Sequence, residues 1–302
     1  MFVIKMKTII YYFAVFAVTL TSIGIIKLYS AVETAAPLPI QGEVQSSEDA
    51  VLSAAKRDGV KVPIIMYHSI LRSTNTHGNY IISEAAFEKD LKFLKENGYK
   101  TIVIKDLLDY VNGKGDLPEK PIILTFDDGY SNNFLYAFPL LKKYENKAVL
   151  SVIGYYTDLY SKTPDENPSY SHVTWDNIKT MMDSGLVEMQ NHSYNLHTLD
   201  KGRNGSKKKK GESDPEYRAV LTEDLGKLQD LFKTNTGYTP TTFTYPFGSV
   251  SNASFDIIKE MGFKASLSCE SGMNTITRDA ECLYMMKRYL RTQKNSIESL
   301  LK

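Results

Sequence analysis

Cysteine, tryptophan and histidine are scarce in this chain of 302 residues, which contains two, one and five of them. The two cysteines, Cys269 and Cys282, are too few for an all-cysteine zinc site, and no CxxC pair is present. One disulfide in an oxidising compartment and two ordinary reduced thiols are both compatible with the sequence.

An excess of charge of either sign is also absent, because 36 Lys and Arg residues face 35 Asp and Glu residues and the net charge is +1. A balanced chain of this kind does not favour a nucleic-acid partner. No GxGxxG motif follows the first predicted strand, which argues against a dinucleotide-binding domain. The polar run over residues 201–214 is typical of a mobile, solvated loop, although it could also contact an anionic wall polymer.

The N-terminus has what the rest of the chain lacks, a long apolar run. Thr8 to Ile26 are 19 residues without a charge, which is long enough to cross a hydrocarbon core as a helix. The run exceeds the usual apolar region of a cleaved signal, and no clear A-x-A site follows it. We therefore predict a signal-anchor over residues 1–27, with a cleaved signal peptide as the alternative. Lys5 and Lys7 precede the run, which places the remainder on the extracellular face of the membrane, or outside the cell if the segment is cleaved.

Residues 28–61 lack sustained periodicity and are predicted to form a linker or stalk. Residues 62–302 alternate between short apolar strands and amphipathic helices, which predicts an α/β domain with a parallel sheet. About seven such units favour a distorted (β/α)7-type barrel over an open sheet. Catalytic side chains of such barrels lie at the carboxyl ends of the strands, so this edge is where function is expected.

Four motifs stand at predicted strand ends. Asp127 and Asp128 follow "PIILTF", the segment "NHSYNLH" follows "LVEMQ", His68 follows "PIIMY", and "YPFG" ends a further strand. His192 and His197 are five residues apart, a spacing that neither a helix nor a strand turns to one face. They can converge only if His192 ends a strand and His197 lies on the loop beyond it. Two surface histidines without a shared role are the alternative.

Two imidazoles and one carboxylate form a common open metal site. A neighbouring carboxylate that is not a ligand can then act as general base. The sequence thus indicates separate roles for the two adjacent aspartates, although Asp-Asp-Gly is also ordinary turn chemistry.

In this order, "LTFDDGYSNN", "HSYNLH" and "YPFG" resemble the motifs of the polysaccharide deacetylase family, also called the NodB-homology family or carbohydrate esterase family 4. The resemblance covers roughly residues 62–292. It implies a distorted barrel that removes acetyl groups from N-acetylated sugars with a divalent metal, often zinc, with cobalt, nickel or manganese as alternatives. Residue by residue, the resemblance implies the following roles: Asp127 as the general base, Asp128, His192 and His197 as the metal ligands, and the turn with Tyr245 and Phe247, through the Phe247 N–H, as the oxyanion and substrate contact.

Two departures from the common family pattern point to one subgroup. No histidine follows His197, so the late histidine that usually supplies the general acid is missing. "PIIMYHSI" resembles the early MYH segment of members that deacetylate poly-β-1,6-N-acetylglucosamine, which implies that His68 is the acid. The spacing of five between His192 and His197 is similar to that subgroup as well. The arginine that usually orients the base is also absent before "YPFG", and we predict that Arg288 replaces it.

The resemblance thus implies N-deacetylation of a cell-surface polymer of N-acetylglucosamine, either peptidoglycan or poly-N-acetylglucosamine. A sugar-binding member that has lost catalysis is the main alternative, because the late histidine is absent. An amide hydrolase acting on a small molecule is a weaker one. No sequence feature specifies an oligomeric state.

Overall fold

The computed structural model describes residues 59–73 and 78–302. The predicted signal-anchor over residues 1–27 and nearly all of the predicted linker lie outside these residues. Among the residues that are described, no helix combines the length and the apolar character that a membrane span requires.

The described chain alternates between strands and helices, as predicted. The strands are β1 Val60–Val62, β2 Ile64–Tyr67, β3 Ser69–Leu71, β4 Ile81–Ser83, β5 Lys100–Thr101, β6 Pro121–Phe126, β7 Ala148–Val152, β8 Val187–Asn191, β9 Thr242–Thr244, β10 Ala265–Leu267, β11 Asn274–Ile276 and β12 Tyr289–Leu290. The α-helices are α1 Glu84–Glu96, α2 Ile104–Val111, α3 Phe138–Tyr144, α4 Gly154–Lys162, α5 Trp175–Asp183, α6 Asp214–Thr236, α7 Ser254–Glu260 and α8 Ile297–Leu300. A single π-helical turn, Asn133–Ala137, leads into α3.

The central sheet has the strand order β10-β9-β8-β7-β6-β2-β12, and β5 pairs with the start of β6. All of these pairs are parallel. Every residue of β6 is buried, as expected for a strand covered on both faces. The predicted α/β class with a parallel sheet is therefore confirmed.

The sheet is curled, because one segment contacts both of its ends. Met286 forms a parallel bridge with Leu267 of β10, and its carbonyl accepts the Ser268 N–H at 2.9 Å. Three residues later, β12 pairs with β2 at the other end of the sheet. The finer description of this curled sheet as a (β/α)7-type barrel stays a prediction.

Helix starts agree with the capping residues in the sequence. Ser83 accepts the Ala86 N–H at 3.1 Å and begins α1, whose core side chains Phe87, Leu91 and Leu94 are fully buried. Thr174 caps α5 in the same way, accepting the Asn177 N–H at 3.2 Å. These helices pack their apolar faces on the sheet and leave its carboxyl edge open.

Two apolar segments form shorter strands than their sequences predict. The segment TIVI at residues 101–104 predicts a strand, but the strand stops at Thr101, because the Asp106 carboxylate accepts the Val103 N–H at 2.9 Å and begins α2 at Ile104. The segment CLYMMKRYL at residues 282–290 predicts a strand along its whole length, but only Tyr289–Leu290 forms one. A 3₁₀ turn occupies Ala280–Leu283, and Met285 adopts a φ of 58°, which interrupts an extended chain.

Five elements had no prediction, namely α4 and the strands β1, β3, β4 and β11. Helix α4 follows β7 directly, where the sequence shows tyrosines and no capping residue. Strand β1 pairs antiparallel with β11. Both cysteines are free, so the open question of a disulfide is answered in favour of two thiols.

Candidate metal centre and active site

The Asp127-Asp128-Gly129 segment turns sharply at the carboxyl end of β6. Asp128 and Gly129 both adopt left-handed conformations, with φ of 71° and 78°. A Cβ atom on Gly129 would lie 2.9 Å from Val152 Cγ1 on the neighbouring strand. Glycine is therefore required here for both its conformation and its size. The sharp turn lets the two adjacent carboxylates face different partners.

Asp128, His192 and His197 converge into one cluster at this edge. Asp128 Oδ1 lies 3.5 Å from His192 Nε2 and 3.3 Å from His197 Nε2. One potential ligand atom from each residue lies within 4.8 Å of the others. This is the trio that the sequence predicted, so the structure brings all three predicted metal ligands together.

The donor set fits a divalent metal ion. His192 Nδ1 lies 2.8 Å from the Thr244 carbonyl oxygen, which can only accept, so Nδ1 carries the proton and Nε2 presents a lone pair to the cluster. Burial, together with the neighbouring His192, lowers the pKa of His197 to about 4, which keeps this imidazole neutral. Buried Asp128 Oδ1 has no hydrogen-bond partner among the described residues. Zinc accepts this combination of nitrogen and oxygen ligands.

The five-residue spacing of the histidines is accommodated by a tight loop after β8. His192 follows the strand and is buried, whereas Ser193 adopts a φ of 74° and reverses the chain. Asn191 Oδ1 accepts the Ser193 N–H at 2.8 Å, and Ser193 Oγ accepts the Leu196 N–H at 3.1 Å. The loop thereby returns His197 to the cluster, as the sequence argument required.

Asp127 forms a fully buried ion pair with Arg288. Arg288 Nη1 donates to Asp127 Oδ1 at 2.7 Å, and Nη2 donates to Oδ2 at 2.8 Å. Burial acts to raise the pKa of Asp127, but the Arg288 guanidinium and the nearby His192 outweigh it and hold this pKa below its usual value. Arg288 is itself fixed by the Ser268 carbonyl at 2.8 Å. The structure thus brings Arg288 to the predicted base, as the sequence analysis expected.

His68 lies in the same cavity, at the carboxyl end of β2. Its ring packs on Tyr80 with centroids 4.6 Å apart, and its Nδ1 is buried without a hydrogen-bond partner among the described residues. Burial lowers the pKa of His68, although the Asp127 and Asp128 carboxylates act in the opposite direction. The early histidine and the aspartate pair, separated widely in sequence, therefore share one site.

The "YPFG" turn contributes one of its two predicted residues to the cavity. Phe247 is 44% exposed, adopts a φ of 57° and packs its ring on His197 at 4.1 Å. The Tyr245 side chain, by contrast, is fully buried and its hydroxyl lies 2.7 Å from Ser254 Oγ. The structure therefore does not bring the Tyr245 side chain to the cavity, because its ring lies in the core beneath the turn. A substrate contact by Tyr245 stays a prediction.

The polar segment over residues 201–214, which was predicted to be a solvated loop, has several buried contacts beneath the same turn. Arg203 and Glu212 form an almost fully buried ion pair. The Ser206 carbonyl accepts a hydrogen bond from the Tyr217 hydroxyl at 2.7 Å. Gly205 lies so close to the turn that a Cβ atom would be 2.7 Å from the Pro246 carbonyl oxygen. The sequence did not indicate these buried contacts, because its many lysines are typical of a solvent-exposed loop.

A cavity of about 500 Å³ connects these groups. Its lining includes the two aspartates, His68, His192, His197 and Phe247, together with residues that the sequence reasoning missed: Met66, Ser69, Tyr80, Tyr130, Ser169, Cys269 and Leu290. Cys269 lies just beyond β10, and its place at the carboxyl end of a predicted strand could have indicated that it lines the site. Tyr80 lies before the short strand β4, where no sequence signal marked it.

A buried Asp–His–His cluster beside a second carboxylate, at the carboxyl edge of a parallel α/β sheet, is typical of metal-assisted hydrolases. The comparisons with known proteins give the family. Its model, polysaccharide deacetylase, matches residues 114–266, which is half of the chain. The chain belongs to the polysaccharide deacetylase family, whose members are hydrolases acting on amide bonds.

Two relatives carry the same name, poly-β-1,6-N-acetyl-D-glucosamine N-deacetylase. The protein from Escherichia coli K12 is 26% identical over an alignment of 227 positions, which covers 69% of this chain and 34% of that protein. The protein from Staphylococcus aureus MSSA476 is 28% identical over 193 residues, which are 64% of this chain and 62% of that protein. The chain therefore spans about a third of the first relative and less than two thirds of the second.

Solved structures of similar fold agree with this assignment. A de-N-acetylase from Aggregatibacter actinomycetemcomitans is 25% identical with a TM-score of 0.69, covering 80% of this chain and 99% of that chain. IcaB from Ammonifex degensii is 26% identical with a TM-score of 0.64, covering 81% of this chain and 94% of that chain. The match extends over nearly the whole of both structures.

Proposed function

We propose that this chain removes acetyl groups from an N-acetylglucosamine polymer at the cell surface, with poly-β-1,6-N-acetylglucosamine favoured over peptidoglycan. The observation that carries the proposal is the meeting of His68 with Asp127 and the Asp128–His192–His197 cluster in one cavity. The relatives named for poly-β-1,6-N-acetylglucosamine support the choice of polymer. The product would be a glucosamine residue in the polymer and free acetate.

In this proposal Asp128, His192 and His197 hold a divalent metal, zinc before cobalt, nickel or manganese. When bound, the metal supplies Lewis acidity toward the acetamide carbonyl and the attacking water. Asp127 accepts a proton from that water, and the Arg288 fork keeps the carboxylate ionised and oriented. His68 donates a proton to the departing amine nitrogen. The N–H of Phe247 contributes to binding the oxyanion, while the partly exposed ring borders the sugar.

The cellular setting is part of the proposal. We infer that residues 1–27 anchor the chain in the membrane, that residues 28–61 form a stalk and that residues 62–302 act on the extracellular face. The alternative is secretion after cleavage of the first segment. An N-acetylated polymer outside the cell is accessible in both cases.

Acetate release from a substrate panel tests the proposal. The panel is poly-β-1,6-N-acetylglucosamine, peptidoglycan and chitooligosaccharides, with zinc or cobalt added. Asp127→Asn and His68→Ala should each reduce release by about 10²- to 10⁴-fold. Asp176→Asn makes the same chemical change on a side chain that is 91% exposed and should retain full activity.

Each alternative function has its own outcome in this assay. Binding of the polymers by wild type without acetate release from any of them would favour a sugar-binding protein. Release from small acetamides alone would favour a small-molecule hydrolase. Full activity of His68→Ala would remove His68 from the proposed mechanism.

A further inference from the structure

The loop between His192 and His197 is hydrogen-bonded to a carboxylate on a helix. This carboxylate takes no part in the proposed reaction. Asp224 lies on α6, about thirty residues after the loop. Its Oδ1 accepts the Tyr194 N–H at 2.7 Å, and its Oδ2 accepts the Asn195 N–H at 2.8 Å. Both carboxylate oxygens thus bind successive amides in the middle of the segment that joins His192 to His197.

The opposite side of the same peptide groups is held by α4. The Gly154 N–H donates to the Ser193 carbonyl at 3.1 Å, and the Tyr155 N–H donates to the Tyr194 carbonyl at 2.8 Å. The start of α4 therefore binds the loop carbonyls while Asp224 binds the loop amides. Two sets of contacts from different helices fix the orientation of the peptides, so the loop cannot rotate without breaking one of them.

These contacts from Asp224 and α4 affect the distance between His192 and His197. His192 is fixed independently, because its Nδ1 donates to Thr244 and its backbone follows β8. The backbone of His197 follows the loop, which begins in the left-handed conformation of Ser193, and its ring packs on Phe247. Loss of the Asp224 contacts would therefore move His197 relative to His192, and not the two together.

We propose that Asp224 is a positioning residue that sets the distance between His192 and His197 and thereby raises the affinity of the chain for a divalent metal. The inference rests on the proposed function in taking these histidines as metal ligands. It concerns metal binding, which is measured without substrate, so it can fail or hold independently of deacetylation.

The test is a titration of the metal-free full chain with zinc or cobalt. Asp224→Asn keeps one oxygen and turns the other into an NH₂ group that faces an N–H donor. We expect this variant to bind metal about 10- to 100-fold more weakly, the range typical of partners that orient a ligand. Asp224→Ala should lose at least as much. The absorption spectrum of the cobalt form should change in both, because the geometry of the ligands changes.

Glu223→Gln is the matched control. It removes the same charge from the adjacent, exposed position of the same helix and should leave metal affinity within about twofold of wild type. Thermal unfolding confirms that every variant is folded at the temperature of the titration. If Asp224→Asn and Asp224→Ala lower the melting temperature but bind metal like wild type, Asp224 only stabilises the fold and the inference is overturned.

Metal binding and acetate release, both measured on the wild-type chain, distinguish this inference from the proposed function. Wild type that binds metal but releases no acetate would contradict the proposed function and leave the role of Asp224 intact. Normal deacetylation with unchanged metal affinity in both Asp224 variants would contradict only the role of Asp224. Wild type that binds no metal would overturn this inference.

Discussion

Replacing Arg288 tests two roles of the buried Arg288–Asp127 ion pair, which are to stabilise the fold and to orient the Asp127 carboxylate. In Arg288→Gln, the Asp127 carboxylate would remain buried without its cation. Breaking such a pair from one side typically costs about 3–5 kcal/mol. For a domain of this size the melting temperature falls by about 2–4 °C for each kcal/mol, so we expect a decrease of roughly 6–20 °C.

The chain contains a matched control for this perturbation. Arg291 forms a second buried, two-pronged pair, with Nε 2.8 Å from Asp90 Oδ2 and Nη2 3.0 Å from Oδ1. Neither of these residues lines the cavity. Arg291→Gln should therefore cost a similar free energy of unfolding. At a temperature where both variants are folded, only Arg288→Gln should reduce acetate release, by about 100-fold as for a displaced catalytic group.

The pH dependence of stability adds a second readout. The folded-state pKa of Asp127 is lowered, so the stability from its ion pair is present above the ordinary aspartate pKa and is lost as the pH falls through the folded value. The gap in melting temperature between wild type and Arg288→Gln should therefore be widest near neutral pH and narrow in acid. Equal acetate release by Arg288→Gln and Arg291→Gln would refute the orienting role of Arg288.

Two further predictions concern the rest of the site. His68→Gln should reduce acetate release by about 10²- to 10⁴-fold with little change in melting temperature, because only the proton donor is lost; a rate equal to wild type would contradict this. Gly205→Ala should reduce both stability and acetate release, because its Cβ atom would displace the Phe247 turn at Pro246. Gly211→Ala, with a φ of 80° and nothing within 4 Å of the added Cβ, carries the backbone strain without the clash and should retain the wild-type rate. Equal rates in the two glycine variants would show that the loop does not support the turn.

The elements that carry the site could be predicted because local sequence specifies them. Strand β6 reads as a continuous apolar run, and the aspartates that follow it can only lie at the carboxyl edge of a parallel sheet. The same rule located His68 and the two histidines. Their meeting follows from parallel pairing, which brings all of these strand ends to one edge.

The features that could not be predicted depend on contacts distant in sequence. The burial of Arg203 rests on Glu212 and on the turn beneath which the segment lies, and its lysine-rich surroundings indicated only a solvated loop. Tyr245 was assigned to the site because it adjoins Phe247, but a left-handed residue at Phe247 separates the directions of the two side chains. The last strand was predicted to be too long, because the apolar residues of 282–290 include part of a 3₁₀ turn and a left-handed residue at Met285.

The most direct test of the account is acetate release from purified poly-β-1,6-N-acetylglucosamine by the full chain before chelation, after chelation, and after zinc or cobalt is returned. The account predicts that release stops when metal is removed and recovers when it is restored, with no recovery in a variant that lacks Asp128. Release that continues unchanged after complete chelation would contradict a metal site formed by Asp128, His192 and His197.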